Sequence, residues 1–485
     1  MALTPINLGS APNDGKGDNL RTAGQKINDN FAAVEAALAS IPGGPSGEGF
    51  SNVTTLLTNT GMKYSGGSPT VSAGQIVRTL SEGFAFVVAT SGASDHHVTT
   101  AGGVKLYALP AADGSVNILQ FGASTAKSNN ATEINKALEN FKWIRVPDGT
   151  FDITSPIVIY WHNRISGVAS QGGWMGGNAS RIRKTTSTAG SPLNLNAVAV
   201  GYRSGGGYVS HVILEDIAFA ADTTNKVQYG IYVKDACMWN LRNVAIDFCQ
   251  VGFYTQDSWL MSFDSVRVNG GSVYAAAAVA GVGTQSGWQS GSIGFHWDGQ
   301  GGATSGPGNT FKSCWARNVG IGWKLRNMNY SNLQACAADQ ISEIAYELIN
   351  AKISMNGCGM ENNFCNPYGI YAFGNAYISM HGCHNDSRAR GNSGSGESAF
   401  LCFDGGARVT MTSCLYQNFN ATPGAGNSHN LIVKGGARFV SDNCQFPGNG
   451  NSNVGYGGGA TWVRTIDGVT SWISSSGSKS SANIP

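Results

Sequence analysis

The sequence has little charge and no long apolar run. Only 12% of its 485 residues are Asp, Glu, Lys or Arg, and the formal net charge is +2. So neutral a balance lacks the basic surface with which proteins bind nucleic-acid phosphates, and we predict no nucleic-acid partner. No apolar stretch approaches the roughly 18 residues that a membrane helix needs, and the opening MALTPINLGS has no basic segment leading into an apolar one. We therefore expect neither membrane insertion nor a secretion signal.

Closely paired cysteines are also missing. None of the 10 cysteines belongs to a CxxC pair of the kind that holds zinc. Six of them instead recur in similar settings, 22, 22, 25, 31 and 30 residues apart: Cys314, Cys336, Cys358, Cys383, Cys414 and Cys444. Val244, Val266 and Ile217 hold the same place further upstream. We expect these thiols to be small, buried apolar side chains rather than metal ligands or disulfides, and we predict no metal and no cofactor.

The regular spacing of these residues, called rung residues below, predicts stacked coils of β-strand. A second column, in which a small residue precedes an apolar, any and an apolar residue, shares the period, as in GIYV at Gly230 and GWKL at Gly322. Repeats of about 20 to 45 residues indicate stacked units, and the alternation within them is that of a strand. The residue before each rung is expected to form a one-residue corner, so that apolar residues on both sides point inward. These corner residues are Asn243, Ser265, Ser313, Ala335, Gly357, Gly382 and Ser413.

Residues 18–41 carry a short heptad seam. Asp18 is suited to be its N-cap, apolar residues follow at spacings of four and three from Leu20 to Ile41, and Pro42 ends the pattern. Such a seam is buried only against copies of itself or a partner, so we favour oligomerisation or docking. The segment INLGSAPNDGKGDNLRTAGQKINDNF closely resembles the N-terminal segment of tail fibre and tailspike proteins of tailed bacteriophages. The resemblance implies that residues 1–45 attach the protein to a tail, baseplate or adaptor protein.

A second resemblance covers the start of the repeats. The string NILQFGAS, the helix-like ATEINKALENF and the run WIRVPDGTFDITSPIVI resemble the entry of the pectate-lyase-like β-helix in phage tailspikes. This implies an all-β fold: a right-handed parallel β-helix over residues 113–446, assembled as a homotrimer. Strand-like runs VTTLL, QIVRTL, FAFVVAT and VKLYALP predict a small β domain at 46–112. Residues 447–485, with a strand-like run at 461–467, are expected to cap the last coil.

One column of the repeat carries acids. The residues three after successive rungs are Asp247, Asn269, Arg317, Asp339, Glu361, Asp386 and Gln417. If the column is in register, neighbours among Asp339, Glu361 and Asp386 are about 5 Å apart and the outer pair about 10 Å, near the separations used in glycoside hydrolysis. Mutual repulsion predicts that the middle acid, Glu361, holds its proton most tightly, as a general acid does. The competing interpretation is a solvated, purely structural polar column.

Basic residues near this column suit an acidic substrate. Arg317, Arg388 and Arg390 are expected to pair with the carboxylate of a sugar. A polysaccharide lyase would instead use His381 or His384 as a base beside Arg388. We favour hydrolysis over this lyase arrangement.

Outward aromatic side chains suit sugar binding. Tyr232, Tyr254 and His296 occupy the middle of successive second-column strands, and Trp315 follows a rung directly, so all four are expected to face out. The same residues would suit a contact between subunits equally well.

These features predict a bacteriophage tailspike, synthesised in the host cytoplasm and carried on the virion tail. It is expected to recognise and degrade a bacterial surface polysaccharide, whether capsule, exopolysaccharide or O-antigen. The alternative is a non-enzymatic receptor-binding or structural tail protein whose β-helix only adheres. A free bacterial pectate lyase is disfavoured by the anchor-like segment.

Overall fold

The computed structural model describes most of the chain after residue 48. Described are residues 22, 25–30, 49–170, 179–224, 227–270, 291–300, 306–361, 363, 365, 367–387, 398–418, 428–444, 453–456, 461–466, 469–474 and 481–483. Residues 22 and 25–30 are helical, as predicted, and the rest of the helix predicted at 18–41 lies outside the described residues. No helix in the described ranges is long and apolar enough to cross a membrane. The chain forms two compact units, residues 1–123 and 124–485.

The first unit holds a small antiparallel sheet and one prediction that was wrong. Its strands are β1 (Ile76–Arg78), β2 (Ala85–Val88), β3 (Val98–Thr99), β4 (Lys105–Ala108) and β5 (Val116–Asn117), followed by a 3-10 helix (Ile118–Phe121); the first four pair in the order β1-β2-β4-β3. The run VTTLL, predicted as a strand, is helix α1 (Val53–Thr58). The Asn52 side chain accepts a hydrogen bond from the Thr55 amide at 2.8 Å, and Val53 and Leu56, three apart, are buried. Capping and helical burial outweigh the β propensity of the run.

The second unit consists of helix α2 (Ala131–Asn140) followed by stacked strands. In chain order these are β6 (Trp143–Arg145), β7 (Gly149–Ile153), β8 (Ile157–Ile159), β9 (Arg164–Ser166), β10 (Ser180–Lys184), β11 (Ala197–Gly201), β12 (Val209–Ser210), β13 (Ile213–Ala221), β14 (Val227–Lys234), β15 (Ala236–Cys237), β16 (Asn240–Asp247), β17 (Cys249–Gln256), β18 (Ser262–Asp264), β19 (Arg267–Asn269), β20 (Ile293–Asp298), β21 (Thr310–Lys312), β22 (Trp315–Arg317), β23 (Ile321–Arg326), β24 (Ser331–Gln334), β25 (Ala337–Asp339), β26 (Ile344–Ile349), β27 (Lys352–Asn356), β28 (Gly359–Glu361), β29 (Tyr368–Phe373), β30 (Tyr377–His381), β31 (His384–Ser387), β32 (Ser398–Asp404), β33 (Arg408–Thr412), β34 (Leu415–Asn418), β35 (Ser428–Val433), β36 (Arg438–Asp442), β37 (Asn453–Tyr456), β38 (Thr461–Ile466), β39 (Val469–Ser474) and β40 (Ser481–Asn483).

These strands form two long sheets. The rung sheet receives two strands from most coils, one on each side of the rung corner, for example β24 and β25, then β27 and β28. The second sheet receives one strand per coil: β8, β11, β14, β17, β20, β23, β26, β29, β32, β35, β37 and β40. Among the described strands of these two sheets, successive coils pair in parallel, and the antiparallel pairs are β38 with β39 and β37 with β40. The predicted parallel β-helix is confirmed, and the strand expected at 461–467 is β38.

Helix α2 covers the exposed edge where the stack begins. It buries Ile134 and Leu138 at helical spacing. From the same helix, the Asn135 amide donates to the Pro156 carbonyl at 3.1 Å and its oxygen accepts from the Val158 amide at 2.7 Å. These hydrogen bonds satisfy backbone groups at β8, the first strand of the second sheet. They thereby protect an edge that would otherwise be open to pairing with another chain.

The one-residue corners are confirmed. All seven predicted corner residues have φ between 49° and 59°. Leu333 and Cys336, on either side of the Ala335 corner, are both fully buried. Four of the corners are neither Gly nor Asn, and a left-handed conformation costs such residues roughly 1–3 kcal/mol each. The stacked coils must therefore supply enough packing energy to hold them.

The rung residues line the interior. All 10 cysteines are buried, as predicted, and their thiols are free. The neighbouring Cys336 thiol, together with burial, raises the pKa of Cys358 to about 12. The Cys358 thiol therefore stays protonated at neutral pH and acts as a small apolar side chain.

Close approach of neighbouring coils explains the small residues of the second column. A Cβ on Gly322 would lie 2.7 Å from the Ala345 carbonyl oxygen of the next coil, and one on Gly230 would lie 2.6 Å from the Gly252 carbonyl oxygen. Both separations are shorter than real Cβ contacts. The residues of this column are therefore small because the backbone of the next coil occupies the space that a larger side chain would need.

Candidate functional site

The acidic column is in register. Arg317 pairs with Asp339, Asp339 with Glu361, and Glu361 with Asp386 on successive coils. Ala338, which directly precedes Asp339 in strand β25, is fully buried. Because side chains alternate along a strand, the Asp339 side chain faces outward. Asp386 continues the column in β31, but its side chain lies outside the described residues.

Asp339 is the most enclosed of the described candidate carboxyls. Its Oδ2 accepts a hydrogen bond from the Trp315 indole N–H at 2.5 Å, and its Oδ1 accepts one from the Glu361 backbone N–H at 3.0 Å. Burial raises the pKa of Asp339 to about 6; the Trp315 hydrogen bond opposes the rise, the Glu361 charge adds to it, and Arg317 opposes it weakly. Glu361 is exposed. The proton-holding role predicted for Glu361 therefore suits Asp339 better.

Trp315 and Arg317, on the coil that precedes Asp339, lie beside this carboxyl. The Arg317 guanidinium is 5.3 Å from the centre of the Trp315 ring, and its Nε donates to the Gln340 side chain at 2.6 Å. Both side chains are half-buried, which fixes their positions better than full exposure would. We call Trp315, Arg317, Asp339 and Glu361 the carboxylate site.

Two small residues follow Trp315 in its column, next to the carboxylate site. The column continues with Ala337, Gly359 and His384 on the following coils. A Cβ on Gly359 would have the His384 carbonyl oxygen, at 3.7 Å, as its nearest neighbour from another coil. From the interior, the Tyr346 hydroxyl donates to the Gly359 carbonyl at 3.1 Å. The sequence analysis did not single out these two small residues, although each directly follows a rung residue.

The remaining basic candidates cannot all be placed at this site. Arg388 and Arg390 lie outside the described residues. His381 and His384, the lyase candidates, are both exposed and flank the Gly382 corner.

The other aromatic candidates form a separate group on the second sheet. Tyr232 pairs with Tyr254 and Tyr254 with His296. The two tyrosine rings are stacked at 4.9 Å, and the His296 ring meets Tyr254 edge-on at 5.0 Å. Burial lowers the pKa of His296 to about 4, so the ring is neutral at pH 7. The structure therefore brings Trp315, but not these three rings, together with the candidate acids.

Tyr229 extends this aromatic group and was missed by sequence analysis. Its ring centre is 5.1 Å from that of Tyr232 and 5.4 Å from that of Tyr254. Gly230, between the two tyrosines of the strand, has no partner in the register, which interrupts the alternation. Two residues three apart therefore reach the same face, and the glycine between them is the signal that could have indicated it.

Comparison with solved structures identifies the fold. The Acinetobacter phage vb_AbaP_AS12 gp42 tailspike matches with a TM-score of 0.62 and 15% identity, over 83% of this chain and 74% of that chain. The chain shares the β-helix fold of that tailspike. Lower scores relate it to the enzymatically active domain of tailspike protein 4 from bacteriophage CBA120 (0.45, 14% identity, 86% of this chain) and to the Acinetobacter baumannii phage AM24 tailspike (0.44, 10%, 78%). The chain spans 51% of the CBA120 domain and 63% of the AM24 protein. No protein-family model and no curated protein sequence matches it.

Proposed function

We propose that the protein is a bacteriophage tailspike that binds a bacterial surface polysaccharide and hydrolyses it at the carboxylate site. The observation that carries the proposal is Asp339, an acid whose pKa is raised to about 6 beside a second acid on the next coil and an aromatic ring. Glycoside hydrolysis uses one carboxyl group with a raised pKa and a second carboxyl group nearby. An aromatic ring beside them offers a surface on which a sugar can stack. The β-helix shared with a phage tailspike supports the proposal.

The two acids have different tasks in this reaction. Asp339 enters it protonated and donates its proton to the glycosidic oxygen as the bond from that oxygen to the anomeric carbon breaks. Glu361, which is exposed, attacks the anomeric carbon through a carboxylate oxygen, and water then releases the sugar while Asp339 takes a proton back. Neighbouring coils are about 4.8 Å apart, which is nearer to the separation of about 5–5.5 Å in retaining enzymes than to that of inverting ones. We therefore expect retention of the anomeric configuration.

Attachment and assembly belong to the same proposal. The N-terminal segment, through its resemblance to tail fibre and tailspike anchors, would bind residues 1–45 to a tail, baseplate or adaptor protein on the virion. The heptad seam at 18–41 favours self-association, and the proposed assembly is a homotrimer. Along the chain, the small β domain proposed at 46–112 lies between the anchor segment and the β-helix at 113–446.

The test is hydrolysis of purified surface polysaccharides. The full chain is incubated with a panel of bacterial capsules and O-antigens, and new reducing ends are measured together with the absorbance of unsaturated uronate. We expect reducing ends without that absorbance from at least one polysaccharide, and a loss of at least a hundredfold in Asp339→Asn and in Glu361→Gln. Asp264→Asn, which removes an exposed acid of the same sheet, is the matched control and should retain activity.

Three results would contradict the proposal. Full activity in Glu361→Gln would exclude the carboxylate site, and unsaturated product would indicate a lyase. Binding without any product would leave an adhesive tail protein, the alternative function.

A further inference from the structure

A row of exposed aromatic and basic side chains runs along the rung sheet, on the other side of the corners from the carboxylate site. Its members lie six residues before successive rungs and are Tyr330, Lys352, Tyr377, Arg408 and Arg438. Lys352 pairs with Tyr377, Tyr377 with Arg408, and Arg408 with Arg438. Tyr330 directly precedes β24, whose Ser331 pairs with Ile353, so it continues the same column. We call these five residues the aromatic-basic row.

The side chains of the row contact one another and remain open to solvent. The Lys352 ammonium lies 5.9 Å from the centres of both the Tyr330 and the Tyr377 rings, and the Arg408 guanidinium lies 5.1 Å from the Tyr377 ring. Tyr330 is 77% exposed and Tyr377 is 43% exposed. Cation–π contacts hold the charged groups over the rings and spread the side chains flat along the surface. Large exposed rings in a row mark an interaction surface rather than a core.

The charge of the row is not neutralised within the described part of the chain. No described carboxylate lies within ion-pair distance of Lys352, Arg408 or Arg438. The next outward column on the same strands is uncharged: Asn332, Ser354, Ser379, Thr410 and Val440. Strand β36 begins with Arg438 of the row and ends with Asp442, which is the acid nearest to the row along that strand. The row is thus a narrow cationic strip bordered by hydrogen-bonding and apolar groups.

From this arrangement we propose that the aromatic-basic row binds an acidic polysaccharide laid along the axis of the β-helix. The inference rests on the proposed function and names the chemical class of its ligand, a polymer carrying carboxylates. Coils about 4.8 Å apart present a cation or a ring at each step, so carboxylates pair with Lys352, Arg408 and Arg438 while sugar faces stack on Tyr330 and Tyr377. A second copy of the chain fits less well, because contact between copies would remove Lys352, Arg408 and Arg438 from water, and burial of unpaired charges is costly.

The experiment compares each acidic polymer with its own neutral form. The full chain is tested by biolayer interferometry against alginate, polygalacturonate, hyaluronan and polysialic acid, each beside the same polymer after chemical reduction of its carboxyl groups to alcohols. Double-stranded DNA serves as a polyanion without sugar carboxylates. We expect at least one acidic polymer to bind tenfold or more tightly than its reduced form and than DNA.

Variants assign this binding to the row. Lys352→Gln with Arg408→Gln should weaken it at least tenfold, and Tyr330→Ala with Tyr377→Ala should do so at unchanged net charge. Lys63→Gln with Arg78→Gln removes two exposed cations from the first unit and is the control for net charge. Thermal unfolding of each variant verifies the fold, and light scattering reports its oligomeric state.

The outcomes separate this inference from the proposed function. Equal binding of acidic and reduced polymers, equal binding of DNA, no binding, or equal losses in the two cation-removing variants would overturn the row as an acidic-polysaccharide site. A changed oligomeric state in the row variants would assign the row to subunit contact instead. In each of these cases, cleavage of a capsule or O-antigen in the separate hydrolysis experiment would still support the proposed function. If the protein neither cleaved nor bound any polysaccharide of that panel, the proposed function itself would be overturned.

Discussion

Two acids on adjacent coils differ mainly in how much water they reach. Asp339 lies under the Trp315 indole and receives two hydrogen bonds, whereas Glu361, one coil further, is exposed. Desolvation disfavours the charged form of an acid, and the hydrogen bonds only partly offset it. Two similar residues on adjacent coils therefore lie in different electrostatic environments.

The pH profile should report this arrangement. Asp339 must be protonated to donate its proton, so we expect kcat/KM for hydrolysis to fall as the pH rises through about 6. In Trp315→Phe the carboxylate loses a hydrogen bond that stabilises its charged form, so the pKa rises further. A hydrogen bond to a charged group contributes about 1.5–3 kcal/mol, so the alkaline limb should move upward by roughly one pH unit or more.

Trp161→Phe, at an exposed tryptophan of an earlier coil, is the control for that profile. An unmoved or downward-shifted limb in Trp315→Phe would show that the indole does not set the pKa of the acid.

At the scale of the element, each coil is shaped by where a side chain can fit. The corners accept several small residues because they need only a left-handed backbone, but the second column is limited by the coil above it. Ala335 tolerates φ of 49°, whereas Gly322 has no room for a Cβ.

This difference predicts that substitution is poorly tolerated at Gly322 and well tolerated at Ala335. Gly322→Ala should destabilise the protein by about 1–3 kcal/mol, because its Cβ would meet backbone and the neighbour cannot rotate away. Ala335→Gly should change stability by less than about 1 kcal/mol, since relief of the left-handed strain offsets the greater freedom of the unfolded chain. Urea unfolding followed by fluorescence gives both values. Equal effects would mean that the coils are less closely packed at Gly322 than the structure indicates.

The repeat explains which features were predictable. Register, corners and buried rungs follow from residues that recur at fixed places, so Asp339 and Glu361 were placed correctly on one column. The shielding of Asp339 was not predictable, because it depends on how far the Trp315 side chain reaches across coils. The strand predicted around Val53 was wrong, because the N-cap residue Asn52 favours a helix there. Tyr330, six residues before its rung, was readable from the same repeat, but only structure shows that it remains exposed.

At the scale of the whole molecule, the thiols report the integrity of the stack. All 10 cysteines are free and buried, and they lie in coils from Cys237 to Cys444. We expect fewer than one of the 10 to react rapidly with Ellman's reagent in the native protein, and all 10 to react in guanidinium chloride. Dithiothreitol should leave the unfolding midpoint unchanged. Rapid labelling of several thiols under native conditions would indicate that part of the stack opens locally.

The parallel stacking of coils also determines how the second unit bears mechanical load. Hydrogen bonds between parallel strands run across the strands, and here each strand bonds to the coil before it and the coil after it. In a pull along the axis of the stack the coil boundaries therefore act in series, so that each boundary carries the whole load and none shares it with another. Resistance to such a pull is set by the weakest single boundary, whatever the number of coils.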